Sequence, residues 1–258
     1  MNELIDFLQN HASVRAFTTD PISPEQEATI VATAERSPTS SNLHAYSILS
    51  VRKHDSKARL AELCGNQAHV AACPLFLVFC ADLYRLKTLA GGRGYPFHGE
   101  YTEAFLVASV DAALAACRAL EAAQALGLGG VMVGGIRTNP QEVSDMLHLP
   151  ELVYPVMGMS LGTPAQPPKV KPRLPLDGLW FKETYAPEQI QAAVEAYDDT
   201  IDSLGYLQGR EVEKDVYPDF EGRYAWSEHS ARRMASTSKG ALRAHLLSFL
   251  QARGLLKK

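Results

Sequence analysis

One stretch restricts the fold more than any other. Residues 102–126 read as a single long helix in which alanine dominates, most faces are apolar, and charge is nearly missing between Phe105 and Cys117. A helix that is apolar all round has to be covered on most of its sides. Its small side chains also let another backbone come close. The expectation is a helix at the centre of a dimer core. Gly127-Leu-Gly-Gly130 closes it, and Val131-Met-Val133 then leads as a short strand into Gly134-Gly135.

The elements around that helix alternate. Residues 2–9 suit a short helix, and Ser23 can cap a second one running to about Arg36. Residues 37–42 (SPTSSN) form a polar loop without helical period. Residues 46–51 suit a strand and residues 74–80 (PLFLVFC) a fully apolar one, with a helix over 55–64 between them, closed by Gly65. Another strand is expected over 154–161, after which 164–175 holds too many prolines for regular structure. Residues 188–204 and 230–253 carry amphipathic helical patterns, separated by a charged, aromatic-bearing loop at 209–226. This order fits the α+β class, with a mostly antiparallel or mixed central sheet flanked by helices and then a C-terminal excursion.

Bulk composition sets the class of partner. The chain has 258 residues, 46% hydrophobic and 21% charged, as a globular protein does. A net charge of −4 argues against nucleic acid or an anionic membrane, which require a basic surface. The first residues, MNELIDFLQNHASVRAF, carry Glu3 and Asp6 and lack a basic n-region followed by an apolar run. The expectation is a cytoplasmic protein acting on small molecules. Cys64, Cys73, Cys80 and Cys117 show no CxxC or metal-ligand spacing. Cys73, Cys80 and Cys117 sit in apolar surroundings and are expected as reduced, buried core thiols.

Two motifs mislead. Gly158-Met-Ser160-Leu-Gly162 matches the G-x-S-x-G elbow of serine hydrolases, which lifts a serine where a strand turns into a helix. Here Pro164, Pro167 and Pro168 follow, so no helix starts in the right place. Gly127-x-Gly129 opens like a dinucleotide fingerprint, but Met132 occupies the third glycine position and a helix precedes it rather than a strand. The eight histidines show no HExxH or other paired spacing for a metal.

The informative residues are dispersed. His11, Ser13 and Arg15 place an imidazole, a hydroxyl and a guanidinium on alternating positions. Lys169, Lys171 and Arg173 place three cations two residues apart on a segment that prolines hold extended. Alternating groups on extended chain point one way and can converge on one anion. Each set, taken alone, also fits solvated surface charge. Gly134-Gly135 permits close backbone approach to a flat ligand, or marks a tight turn.

In this order, the segments HASVRAF with PIS, SPTSSNLHAYS, GNQAHVAACP, FCAD, LGLGGVMVGGIR, GMSLGTPAQPPKVKPRLP and WSEHSARR resemble the nitroreductase superfamily, in its NADPH-dependent flavin reductase and oxygen-insensitive nitroreductase branch. The resemblance covers essentially the whole chain. It implies two intertwined subunits with one FMN at each side of the homodimer interface. It also implies one domain over 1–258, with an excursion over about 176–258 that wraps the partner subunit or covers the site. The implied reaction passes two electrons from NADPH, with NADH as a competing donor, through FMN to nitroaromatics, quinones or flavins in ping-pong order. The flavin N5 carries the chemistry, so no catalytic side chain is implied. Another flavin chemistry in the same pocket (dehydrogenation, dehalogenation or flavin fragmentation) is the alternative, with the hydrolase reading of GMSLG behind it.

The same resemblance assigns residues. His11, Ser13, Lys171 and Arg173 would hold the FMN phosphate. Arg15 and Gln67 would face the pyrimidine edge of the ring, where a fixed cation stabilises the negative charge that reduction brings. The backbone of Val133, Gly134 and Gly135 would lie near N5. Ser40, Ser41, Asn42 and Leu43 would border the ring, the last two near the acceptor pocket. Arg210, Arg223 and Lys239 are assigned to NADPH or the acceptor. Some positions depart from the pattern. Ala12 and Thr39 replace a basic residue and a serine, Lys239 stands for an arginine, and Glu211, Glu213 and Asp219 oppose a 2′-phosphate beside Arg210 and Arg223.

Overall fold

Four strands, β1 (Tyr46–Val51), β2 (Leu75–Asp82), β3 (Gly129–Val133) and β4 (Val153–Gly162), pair antiparallel in the order β1-β2-β4-β3. They belong to a computed structural model that describes residues 2–218, 220 and 222–258. Every residue of β2 is buried. Leu75, Leu77 and Phe79 join one apolar cluster, while Phe76, Val78 and Cys80 join another. Successive strand residues point to opposite faces, so a strand covered on both faces favours apolar residues at every position. That is why PLFLVFC reads as an unbroken apolar run. The one polar residue of β2, Asp82 at the strand end, is hydrogen-bonded to Ser47 and Arg85. β4 lies between β2 and β3, with Ser160 opposite both Phe76 and Val131.

Eleven helices are described: α1 (Glu3–Gln9), α2 (Pro24–Glu35), α3 (His54–Leu63), α4 (Ala68–Ala72), α5 (Tyr84–Gly92), α6 (Thr102–Ala125), α7 (Pro140–Met146), α8 (Ile190–Ser203), α9 (Trp226–Ala235), α10 (Lys239–Leu242) and α11 (Leu246–Ala252). Ser23 starts α2 with a capping box. Its Oγ accepts from Gln26 N–H, and the Gln26 side chain accepts from Ser23 N–H. The short helices α4, α5 and α7 are not foreseen from sequence.

α6 buries Ala108, Ala112, Ala115, Ala116, Ala119 and Ala123 against the sheet and α2. Its other side is open, with Leu106, Val110 and Leu114 exposed. Cys117 corrects an expectation here. Cys64, Cys73 and Cys80 are buried free thiols, and burial pushes the Cys64 thiol up to about 12, but Cys117 is exposed. It falls on the same outward stripe as Val110 and Leu114, so local apolar sequence does not amount to burial.

The single helix expected over 230–253 is also corrected, because three helices occupy that stretch. The interruption begins at Ser236, which is extended and whose Oγ accepts from Ser238 N–H and donates to Glu213 Oε1. Arg243 then takes φ +47°, which no helix continues through.

The chain divides into two compact units. One holds residues up to Val170 together with Arg243–Lys258, and the other holds Lys171–Leu242. In the second, the motif WSEH is occupied locally. Trp226 packs edge-on against Tyr197, and Ser227 N–H donates to the buried Asp198 at 2.8 Å. Glu228 pairs with Arg232 at 2.6 Å, and His229 meets the Tyr224 hydroxyl at 3.0 Å. Among the described residues, no helix is long and apolar enough to cross a membrane.

Candidate functional site

The N-terminal segment lies along β3. Val14 N–H donates to Gly130 O at 2.9 Å, and Ser13 forms a bridge with the same residue. The close approach requires Gly129, where a Cβ would fall 2.6 Å from the Val14 side chain. Extended backbone makes sides alternate. Ala12 and Val14 are therefore buried, while Ser13 and Arg15 are exposed on the other side. Half-buried His11 receives the Gln124 amide on Nδ1 at 3.1 Å. Ala12, the departure from the pattern, faces the interior.

β3 ends in a 3-10 turn, Gly134–Arg137. A Cβ on Gly135 would lie 2.3 Å from Cys64 O and 2.4 Å from Gln67 Nε2. Glycine here lets the turn close on the Gln67 amide, which donates to Cys64 O at 2.9 Å and keeps Oε1 and a second N–H for another partner. An edge that alternates N–H with carbonyl oxygen, as the flavin pyrimidine does, matches what remains. Hydroxyl and guanidinium groups on one side of an extended strand likewise suit a phosphate-bearing cofactor. The donor set thus fits FMN.

Two residues beyond Gln67, His69 meets Ser160 Oγ through Nδ1 at 3.1 Å. Burial, and then repulsion from Arg15, holds the His69 pKa below its ordinary value. Ser160 is fully buried within β4. A serine in mid-strand, paired with a histidine whose charged neighbour is a cation, offers neither the exposed nucleophile nor the imidazolium stabilisation of a Ser-His-Asp site. GMSLG is a strand end.

Ser40–Asn42 form a 3-10 turn inside an exposed loop in which Ser41, Asn42 and His44 all have positive φ. Ser40, Ser41, Asn42 and Leu43 are exposed. Ser37 Oγ donates to Leu114 O at 3.2 Å, and Arg85 Nη1 donates to His44 O at 2.8 Å. Asp111 of α6 accepts from Ser40 N–H and Ala45 N–H. Sequence reasoning passes over His69, Arg85 and Asp111. Only Asp111 carries a signal, as a lone charge in an otherwise apolar stretch.

In the second unit, Lys171, Arg173, Tyr197, Tyr206, Trp226 and His229 help line a cavity of about 260 Å³. Arg173 Nη1 donates to Lys171 O at 3.0 Å, and Tyr197 donates to Pro172 O at 3.1 Å. Two cations lie over the Tyr206 ring, Lys171 at 4.9 Å and Arg210 at 4.8 Å from its centroid. A hydrogen bond from Lys171 and the charge of both cations lower the Tyr206 pKa. Arg223 pairs with Asp199 at 2.5 Å and with Asp202 at 4.0 Å, and the Asp199 bond raises its pKa. Lys239 begins α10. Asp219 lies outside the described residues.

An antiparallel α+β fold with a glycine-lined strand end and a donor-rich N-terminal segment defines a protein built to hold a flat, phosphate-bearing cofactor. Residues 8–163 match the nitroreductase family and residues 171–258 its C-terminal domain. The chain belongs to the nitroreductase family. It is 37% identical over 203 residues to an FMN reductase [NAD(P)H] of Bacillus subtilis, covering 77% of this chain and 81% of that one. It is 33% identical over 254 residues to an oxygen-insensitive NADPH nitroreductase of Salmonella typhimurium, covering 98% of each. The solved structure of the NADPH:FMN oxidoreductase from Vibrio harveyi complexed with NAD+ superimposes with a TM-score of 0.84 at 33% identity, covering both chains completely.

Proposed function

We propose that the chain is an FMN-dependent oxidoreductase that transfers two electrons from NAD(P)H to small acceptors such as nitroaromatics, quinones or flavins. The observation that carries this reading is a family match over nearly the whole chain, joined to a donor set that fits the cofactor. When bound, FMN supplies hydride acceptance and donation at N5.

The residues of this chain bind and orient. Ser13 and Arg15 present donors on the exposed side of the segment along β3, with half-buried His11 on the same alternation. Arg15 supplies positive charge at the pyrimidine edge, and neutral His69 beside it adds no second cation. Gln67 offers its remaining amide groups at the same edge, and Val133, Gly134 and Gly135 bring backbone close without side-chain obstruction. Ser40, Ser41, Asn42 and Leu43 border the acceptor pocket. In the second unit, Lys171 and Arg173 carry the phosphate assignment from sequence, and Arg210, Arg223 and Lys239 the donor or acceptor assignment. The working form is a homodimer, with residues from about 176 to 258 as an excursion that wraps the partner or covers the site.

An anaerobic visible spectrum tests the reading. Flavin bands should bleach with one equivalent of NADPH and return on adding a quinone or a nitrofuran. A colourless protein that FMN does not reconstitute would end it.

A further inference from the structure

We propose that Asp111 is a positioning residue for this reaction, a buried carboxylate that clamps both ends of the Ser40–Ala45 loop, keeping Ser41, Asn42 and His44 left-handed and Leu43 turned outward. The proposal rests on the reading above, in which that loop borders the flavin and the acceptor.

The buried face of α6 is alanine and leucine apart from Asp111, which is 1% exposed. Its neighbours Ala108, Ala112 and Ala115 show what packing alone would place there. A carboxylate taken out of water is costly unless its oxygens are satisfied. Both are satisfied by the same loop: Oδ1 accepts from Ser40 N–H at 3.0 Å and Oδ2 from Ala45 N–H at 3.1 Å. Between those two points lie Ser41 at φ +49°, Asn42 at +56° and His44 at +49°. Three non-glycine residues in the left-handed region are unfavourable without a restraint.

Other contacts also hold the loop: Ser37 Oγ donates to Leu114 O, Arg85 Nη1 to His44 O, Asp82 N–H to Ala45 O and Leu43 N–H to Ser40 O. None of these supplies an acceptor to Ser40 N–H or Ala45 N–H. Among the contacts of the described residues, the carboxylate alone joins Ser40 to Ala45, and it does so from a rigid helix. A loop so fixed presents the same surface to each incoming acceptor instead of ordering as it binds.

Asp111→Asn separates this role from packing. Asparagine has nearly the same volume but one acceptor, and its amide would turn a donor toward one of the two N–H groups. In the FMN-saturated variant at saturating NADPH, the KM for a nitrofuran should rise about tenfold. Turnover with ferricyanide, which takes electrons without stacking in a pocket, should change less than twofold. An unchanged nitrofuran KM in a flavin-replete variant overturns the clamp while leaving the flavin reading intact. Wild-type protein that binds no FMN overturns the flavin reading and this role with it. Should the variant fail to fold, amide exchange on the wild-type protein decides. Protected Ser40 and Ala45 amides are expected, and exchange as fast as in an unstructured loop overturns the clamp.

Discussion

His69 shows how one residue links the core to the site. Its Nδ1 is held by a fully buried serine, and burial and Arg15 together keep the ring neutral. The unfolded chain takes a proton there near the ordinary value of 6.5, whereas the folded chain takes it only at lower pH. In that interval the unfolded state binds more protons, so stability falls as pH drops below about 6.5 and is untouched above it. His229, lowered by burial and Arg233, adds a parallel loss. Replacing His69 by Gln should remove only its own part. Melting curves of wild type and variant, referenced to their pH 7.5 values, should diverge by up to about 3 °C between pH 6.5 and 5. Equal slopes in that window would show that the ring charges as freely in the folded protein as in the unfolded one.

Between elements, the loop joining α8 to α9 carries the two arginines proposed for the donor nucleotide, and their surroundings differ. Arg223 is committed to Asp199 and Asp202, while the Arg210 side chain lies against Tyr206, with no carboxylate paired to it among the described ion pairs. A 2′-phosphate would have to displace two carboxylates to reach Arg223 but none of these to reach Arg210. Arg210→Ala is therefore expected to raise the KM for NADPH about tenfold, equivalent to about 1.4 kcal/mol, with the KM for NADH little changed. Arg223→Ala should alter either by less than twofold, and the reverse pattern would exchange the two roles. The same region marks where sequence stops being legible. β1, β2 and α6 could be read because each is a run of one period longer than a turn, and β2 announced its double burial by having no polar position before Asp82 at its end. The helix expected over 230–253 failed because the periodic pattern continues through Ser236 and Arg243, whereas a side-chain bond to Glu213 and a left-handed residue break the backbone. For the site, alternation at His11, Ser13 and Arg15 was visible, since Ala12 and Val14 pack inward. The partners of Gln67 and Asp111 were not, because Cys64 O, Ser40 N–H and Ala45 N–H are backbone groups without a sequence signature.

For the whole molecule, the unfinished side of α6 is the strongest argument for assembly. Its inner side is built from alanine against the sheet, and a helix facing only water on the other side would be polar there. Instead Leu106, Val110 and Leu114 are 48%, 53% and 39% exposed, one helical turn apart, with Cys117 continuing the stripe. Covering side chains of this size stabilises by roughly 1.5–3 kcal/mol each, and a twofold interface counts each residue twice. A second copy of the same helix fits such a stripe, because small residues beside the leucines and valine allow close approach. The protein should therefore scatter light as about twice the 28.2 kDa chain. Val110→Glu with Leu114→Lys places charges at the centre of that contact while replacing no residue that is buried in one chain. The variant is expected to run as a folded monomer with unchanged far-ultraviolet circular dichroism. It should also release FMN on dilution if the cofactor lies at the subunit boundary. A wild-type protein that is already monomeric at micromolar concentration would mean that α6 is not the dimer core. A double variant that stays dimeric would move the interface to another face.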